Sequence, residues 1–165
     1  MKYDVVIIGA GPAGIFTAIE LIRKGANKKI MMVEKGQPIE KRRCPKSKTN
    51  KCVNCKPYCH ITTGFSGAGA FSDGKYNITN DFGGTLYEYI GKKAATELME
   101  YVDTINLRYG GEGTKLYSTA GTSLKKTCMQ HGLHLLDASV RHLGTDINYI
   151  CLLYTSPSPR DKRQS

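Results

Sequence analysis

Four β-branched residues, Val5-Val6-Ile7-Ile8, run straight into Gly9-Ala10-Gly11-Pro12-Ala13-Gly14, after which Ile15, Ala18, Ile19 and Ile22 recur at helical spacing up to Gly25. Such a run reads as a strand buried on both faces of a parallel sheet, the glycines as a tight turn, and the periodic residues as a helix. Ile30-Met31-Met32-Val33 reads as a second buried strand, ending in Glu34, twenty residues beyond Gly14. Strand, G-x-G-x-x-G, helix, strand and a carboxylate at that distance form the dinucleotide-binding fingerprint. The fold class expected is therefore α/β, Rossmann-like, with a parallel central sheet. Outside that context the six residues would be a plain turn.

Each element of the fingerprint has a physical task. Gly9 permits the sharp exit from the strand, Gly11 keeps side-chain bulk away from a pyrophosphate, and Gly14 lets the helix approach the sheet. Amide groups at the helix N-terminus, which have no partner within the helix, face the phosphates. A carboxylate at Glu34 accepts hydrogen bonds from adenosine ribose hydroxyls and repels a ribose phosphate, which favours FAD or NAD over NADP.

At 165 residues, 40% hydrophobic and 23% charged, the chain suits one globular domain rather than a disordered, collagen-like or coiled-coil protein. No apolar run approaches the ~20 residues of a membrane span, and no signal-peptide cleavage site follows the N-terminus, so a cytoplasmic protein is expected. The net charge of +10 is local: residues 23–56 hold 12 basic and 2 acidic side chains, and the remainder is neutral. That distribution does not suit a uniformly basic nucleic-acid binder.

The basic segment also holds Cys44, Cys52, Cys55 and Cys59 at spacing C-x7-C-x2-C-x3-C. Three readings stand: a zinc or iron–sulfur site, a redox dithiol, and inert thiols. His60 is an alternative ligand or a solvated side chain. The neighbouring cations favour thiolate over thiol, and Arg42 or Arg43, shortly after the second strand, has the reach to bind a cofactor phosphate through two hydrogen bonds. Farther on, Gly64-Phe65-Ser66-Gly67-Ala68-Gly69-Ala70 is almost free of bulk after Phe65. Such a run either lets backbone approach a flat ring or is a flexible loop. Only Tyr58 is interleaved as a stacking aromatic, which points away from nucleic acid.

The residues Asp4 to Gly14, Glu34-Lys35-Gly36, Arg42-Arg43-Cys44-Pro45, Cys52-Val53-Asn54-Cys55-Lys56-Pro57, Gly67 to Lys75 and Arg141 to Asp146 together resemble the uncharacterised FAD-dependent dehydrogenases of bacteria and archaea. These lie within the glutathione-reductase-like flavoprotein superfamily. The resemblance spans residues 1–150 and departs at Ser66, where such proteins carry a second glycine. It implies an oxidoreductase that binds FAD at the N-terminal site, with NAD(P)H as a candidate electron donor and a small-molecule substrate of unknown identity. The cofactor residues it implies are Gly9, Gly11, Pro12, Ala13, Gly14, Glu34, Lys35, Arg43, Gly67, Ala68 and Gly69. Asp73 and Lys75 are candidates for orienting substrate, whereas no catalytic residue is assignable and the oligomeric state is open. The alternatives are a flavin-dependent tRNA-modifying or RNA-binding protein, and a non-redox metal-binding module on a nucleotide fold.

Downstream, Ala94, Ala95, Leu98, Val102 and Ile105 predict a core-facing helical stripe. Leu124 and Cys128 predict a short helix capped at Gly132, and Leu133-His134-Leu135-Leu136 a strand. The segment Arg141 to Asp146 reads either as part of an active-site wall or as a polar surface turn. Residues 151–165 show no helical or strand period. One choice of codons for Cys151 to Asp161 spells a transposase-end adapter of sequencing libraries. The expectation is an N-terminal part of the domain over residues 1–150, incomplete at its C-terminal end, and a non-native tail over 151–165.

Overall fold

The computed structural model describes residues 2–25 and 27–155. The chain divides into two compact units, one formed by Met1–Ser72 with Asn148–Ser165 and the other by Asp73–Ile147.

The first unit begins as the sequence predicts, with β1 (Val5–Ile8), α1 (Pro12–Arg23) and β2 (Ile30–Val33). β1 and β2 pair in parallel, Val5 opposite Ile30 through Ile8 opposite Val33. Asp4 locks the start of the pair: its N–H donates to the Lys29 carbonyl at 2.9 Å and its carboxylate accepts the Lys29 N–H at 2.8 Å. α1 buries Ile15, Ala18 and Ile19, and Ile7 of β1 is buried as well. Burying an isoleucine stabilises by about 1.5–3 kcal/mol, so this small set anchors the unit. On the other face of β1, Val6 and Ile8 are exposed, Ile8 by 87%. A one-turn helix, α2 (Lys46–Thr49), and a 3-10 turn over Ala68–Phe71 follow, the latter packing Ala70 and Phe71 with Ile39.

The second unit contains β3 (Lys75–Ile78), α3 (Leu86–Ile90), α4 (Lys92–Asn106), β4 (Leu116–Ser118), α5 (Leu124–Gln130) and β5 (Ser139–His142). Its sheet has the order β3-β5-β4 and is antiparallel throughout. The expected parallel central sheet is thus corrected: among the described residues the parallel part has two strands, and a separate three-stranded sheet is antiparallel. The physical reason is visible in β3, Lys-Tyr-Asn-Ile, whose burial alternates as a sheet with one wet face requires.

The helices over Ala94–Ile105 and Leu124–Cys128 form as expected, and Gly132, at φ 70°, lies just beyond α5. Of the α4 stripe, Ala95 and Ile105 are buried while Leu98 stays 44% exposed. The strand expected at Leu133–Leu136 does not form. Leu133 and Leu136 are exposed, and the pairing residues are Ser139–His142, which register with both β3 and β4. Thr119 fixes that choice, its N–H donating to Ala138 O at 3.0 Å and its hydroxyl to Leu136 O at 2.8 Å.

α6 (Gly144–Thr155) runs out of the second unit into the first. The start of the expected tail, read from the sequence as lacking helical or strand period, is helical here: α6 continues to Thr155, and Cys151 is fully buried. Residues 156–165 of the expected tail lie outside the described residues, as do the side chains of Leu152, Leu153 and Tyr154.

β5 also carries the second unit's strongest polar contact. Arg141 Nε donates to Asp103 Oδ1 at 2.6 Å and its Nη2 to Oδ2 at 2.8 Å, while Nη1 donates to the Thr114 carbonyl at 2.5 Å. Both ionic side chains are more than nine-tenths buried. Of the segment read as a candidate active-site wall, Arg141 thus directs its side-chain donors to α4 and to the loop before β4. Asp103→Ala leaves a buried cation without its counter-ion and should cost about 3–5 kcal/mol. Urea unfolding of wild type and variant measures this; a loss under about 1 kcal/mol would mark the pair as incidental.

Candidate nucleotide-binding site

The glycine turn behaves position by position as the fingerprint requires. Gly9 has φ 96°, a left-handed value that only glycine adopts readily, and its N–H donates to Val33 O at 2.7 Å. A Cβ at Gly14 would lie 2.0 Å from the Gly9 carbonyl oxygen, so the helix sits directly on the turn. A Cβ at Gly11, by contrast, would meet nothing within 4 Å. Open space therefore lies beside the one glycine whose task is to admit a ligand. Pro12 and Ala13 are exposed at the start of α1, where the first N–H groups of a 12-residue helix are free to face an anion.

Glu34 stands at the end of β2, half-buried, and one carboxylate oxygen accepts the Ala10 N–H at 2.9 Å while the other accepts the Gly36 N–H at 2.9 Å. It thus shapes the turn as well as facing outward, since each carboxylate oxygen retains a further lone pair. Lys35 beside it is exposed.

A second loop closes on the first. Ser66 N–H donates to Ala10 O at 2.8 Å and Phe65 N–H to Gln37 O at 3.1 Å. A Cβ on Gly67 would come within 3.2 Å of Pro12 Cδ and 3.3 Å of Gly11 Cα, and one on Gly36 within 2.5 Å of Gly64 Cα. The glycine-rich run is therefore packed backbone against backbone, not left as a flexible loop. Ser66 is fully buried at φ 70°, in the left-handed region. The departure noted in the sequence thus falls where backbone geometry itself favours glycine. Ala68 is exposed and Gly69 half-buried, and a Cβ on Gly69 would meet nothing within 4 Å.

Two side chains hold this run by its carbonyls. Arg42, 3% exposed, donates Nε to His60 O at 2.9 Å, Nη1 to Phe65 O at 2.5 Å and to Gly67 O at 2.8 Å, and Nη2 to Ile61 O. Its guanidinium also lies over the Phe71 ring, 4.8 Å from the centroid. Burial lowers the Arg42 pKa from its ordinary value, and the charges of Glu34 and Cys59 oppose that shift. The reading of Arg42 as a phosphate ligand is corrected, since its donors are occupied by backbone; Arg43 alone is exposed. Asn148 of α6, fully buried, donates from Nδ2 to Gly69 O at 2.8 Å, with Ser72 Oγ at 3.4 Å. Nothing in the sequence marked Asn148, because its partner is 79 positions away.

Of the three readings of the cysteines, the zinc or iron–sulfur site is the one the side-chain geometry does not support. Among the described residues no three His, Cys, Asp or Glu side chains converge to hold a metal, and Cys44, Cys52, Cys55 and Cys59 are all free thiols. Arg42, through the carbonyls of His60, Ile61, Phe65 and Gly67, orders the chain just beyond these cysteines. Cys59 is exposed, and its pKa is lowered by hydrogen bonds from the Thr62 and Ile61 N–H groups and the Thr62 hydroxyl, with Arg42 adding to the effect. Asp73 and Lys75 pair with each other at 2.7 Å, both more than half exposed, and that hydrogen bond holds the Asp73 carboxyl below its usual value.

A Gly-rich turn with an open middle glycine at a helix N-terminus, and an acid at the end of the next strand, defines a Rossmann-like dinucleotide-binding protein. The chain belongs to the pyridine nucleotide-disulphide oxidoreductase family, whose model matches residues 3–130, and it supplies an FAD/NAD(P)-binding portion of such an oxidoreductase. It is also 41% identical over 75 residues to an uncharacterised protein of Clostridium beijerinckii, a match covering 46% of this chain and 14% of that protein's length. No solved structure matches the chain. No helix among the described residues is long and apolar enough to cross a membrane.

Gly11→Val should remove nucleotide binding while leaving thermal unfolding within a few degrees of wild type, since its Cβ enters open space. Gly14→Val should instead cost about 3 kcal/mol or more, because its Cβ meets the Gly9 carbonyl. Calorimetric titration and melting curves of both variants distinguish the two roles; equal behaviour would contradict them. Alkylation of Cys59 by iodoacetamide should have a pH midpoint below the ~8.5 of an unstructured cysteine peptide, and Thr62→Ala should move it back up. Mass spectrometry of the labelled peptide reads both shifts.

Proposed function

We propose that the chain is the FAD-binding part of a flavin-dependent dehydrogenase that acts in the cytoplasm, with NAD(P)H as electron donor and a small-molecule substrate. The observation that carries this reading is the open space beside Gly11 at the start of α1. A bulky side chain at Gly11 would fill it.

In this reading Gly9, Gly11, Pro12, Ala13 and Gly14 cradle the pyrophosphate, with the α1 amides offering hydrogen bonds and the positive end of the helix dipole. Glu34 accepts hydrogen bonds from the adenosine ribose through the lone pairs that Ala10 and Gly36 leave free, and its charge discriminates against a phosphorylated ribose. Exposed Lys35 and Arg43 supply positive charge at the rim, Arg43 toward a phosphate. Gly67, Ala68 and Gly69 present backbone to the isoalloxazine ring, held in shape by Arg42 and Asn148. Bound there, FAD supplies the hydride and electron transfer. The chain's own task is to bind it, orient it and leave one face open to substrate.

The full chain, purified without added cofactor, should show flavin absorbance and release FAD on denaturation in near one-to-one ratio. Glu34→Ala should weaken FAD binding by roughly ten-fold, the scale of one or two lost hydrogen bonds to a charged group. A colourless protein that binds NAD alone would reassign the site to a nicotinamide nucleotide.

A further inference from the structure

Lys41 to Lys56 contains seven cations and no carboxylate, and no Asp or Glu follows until Asp73. Arg42 is internal, and Arg43 is assigned above to the cofactor. Lys41, Lys46, Lys48, Lys51 and Lys56 are all exposed, and among the described residues none of them has an ion-pair partner.

Local structure forces these charges together. α2 is a single turn, about 6 Å long at the usual rise of 1.5 Å per residue. Asn50 closes it at φ 55°, and the Thr49 hydroxyl donates to Lys51 O at 2.7 Å, so the chain turns at Asn50 with Lys51 next to it in sequence. Charges gathered within about a Debye length of ~8 Å repel one another in physiological salt. Immediately beyond lie exposed Cys52 and Val53, the latter 50% exposed, a small patch that can be dehydrated beside the cations. The surface is joined to the cofactor loop through Arg42, which sits between this segment and the Phe65 and Gly67 carbonyls.

Exposed lysines make a surface to be covered rather than a cleft to be filled, which suits a macromolecule better than a small anion. Of the acidic macromolecules, nucleic acid fits less well. The aromatic of this stretch, Tyr58, is half-buried with its ring 5.9 Å from that of His60, so no row of free rings is offered for base stacking. A charge-steered redox encounter, by contrast, needs only a small basic face beside the cofactor.

We propose that the face formed by Lys46, Lys48, Lys51 and Lys56 docks an acidic electron-carrier protein that takes electrons from the reduced cofactor. This rests on the flavin reading above. Two oxidised one-electron carriers and FADH2 give two reduced carriers, FAD and two protons, so no further reactant is required.

The test uses the full chain, with its flavin content first read from the visible spectrum. Oxidised [2Fe–2S] ferredoxin and flavodoxin, both acidic, serve as probes in calorimetric titrations at low and high salt, with bulk tRNA as competitor. At least one carrier should bind, more weakly as salt rises. The Lys46→Glu, Lys48→Glu, Lys51→Glu triple variant should lose about ten-fold or more in affinity, while the corresponding arginine variant retains it. Flavin content and reduction of menadione, a neutral acceptor, should be unchanged in both. Binding of neither carrier by a flavin-loaded protein, equal binding by wild type and the glutamate variant, or displacement by tRNA at lower concentration than the carrier would overturn the docking proposal and leave the flavin reading intact. A protein without flavin would overturn both.

Discussion

The buried guanidinium of Arg42 is the interaction on which the candidate site depends. A cation removed from water is costly unless its donors find partners, and here hydrogen bonds run to the carbonyl oxygens of His60, Ile61, Phe65 and Gly67. Hydrogen bonds to a charged group contribute about 1.5–3 kcal/mol each, enough to offset burial and to order a segment that has little else to order it. Residues 64–70 have almost no side chains with which to pack. Their shape comes from outside, through Arg42 on one side and Asn148 on the other.

The same contact also ties down the end of the cysteine segment. A loop of this length with several thiols suggests a cross-link, because an irregular chain loses much conformational entropy on being fixed. Arg42 supplies the cross-link with ordinary hydrogen bonds to residues 60 and 61, and His60 adds its ring nitrogen 3.2 Å from the Arg43 carbonyl. The thiols are left for chemistry or for nothing, and among them Cys59 is the one whose surroundings favour thiolate.

The two units build their sheets by opposite rules. β1 and β2 are apolar on both faces, as strands of a parallel sheet are, yet Val6, Ile8 and Val33 remain exposed in this chain. β3 alternates apolar and polar residues and needs only one cover. In the second unit Arg141 and Asp103 tie the sheet to α4, a buried pair whose specificity comes from its bidentate geometry rather than from net energy.

Residues 5–34 were legible in the sequence because every constraint there is local. Strand, turn and helix follow from β-branching, glycine spacing and apolar period, and the roles of Gly9, Gly11 and Gly14 follow from the turn they must make. Glu34 was legible for its spacing, but not for its hold on Ala10 and Gly36. What only the tertiary structure decided is long-range: that Ser139–His142 rather than Leu133–Leu136 pairs, that the helix from Gly144 continues to Thr155, that Arg42 turns inward while Arg43 faces water, and that Asn148 reaches Gly69. Neighbouring arginines, or two adjacent apolar runs, have nearly the same propensities. Their fates differ because partners far along the chain offer carbonyls, a carboxylate or a strand edge to one and not to the other, and sequence spacing carries no record of such partners.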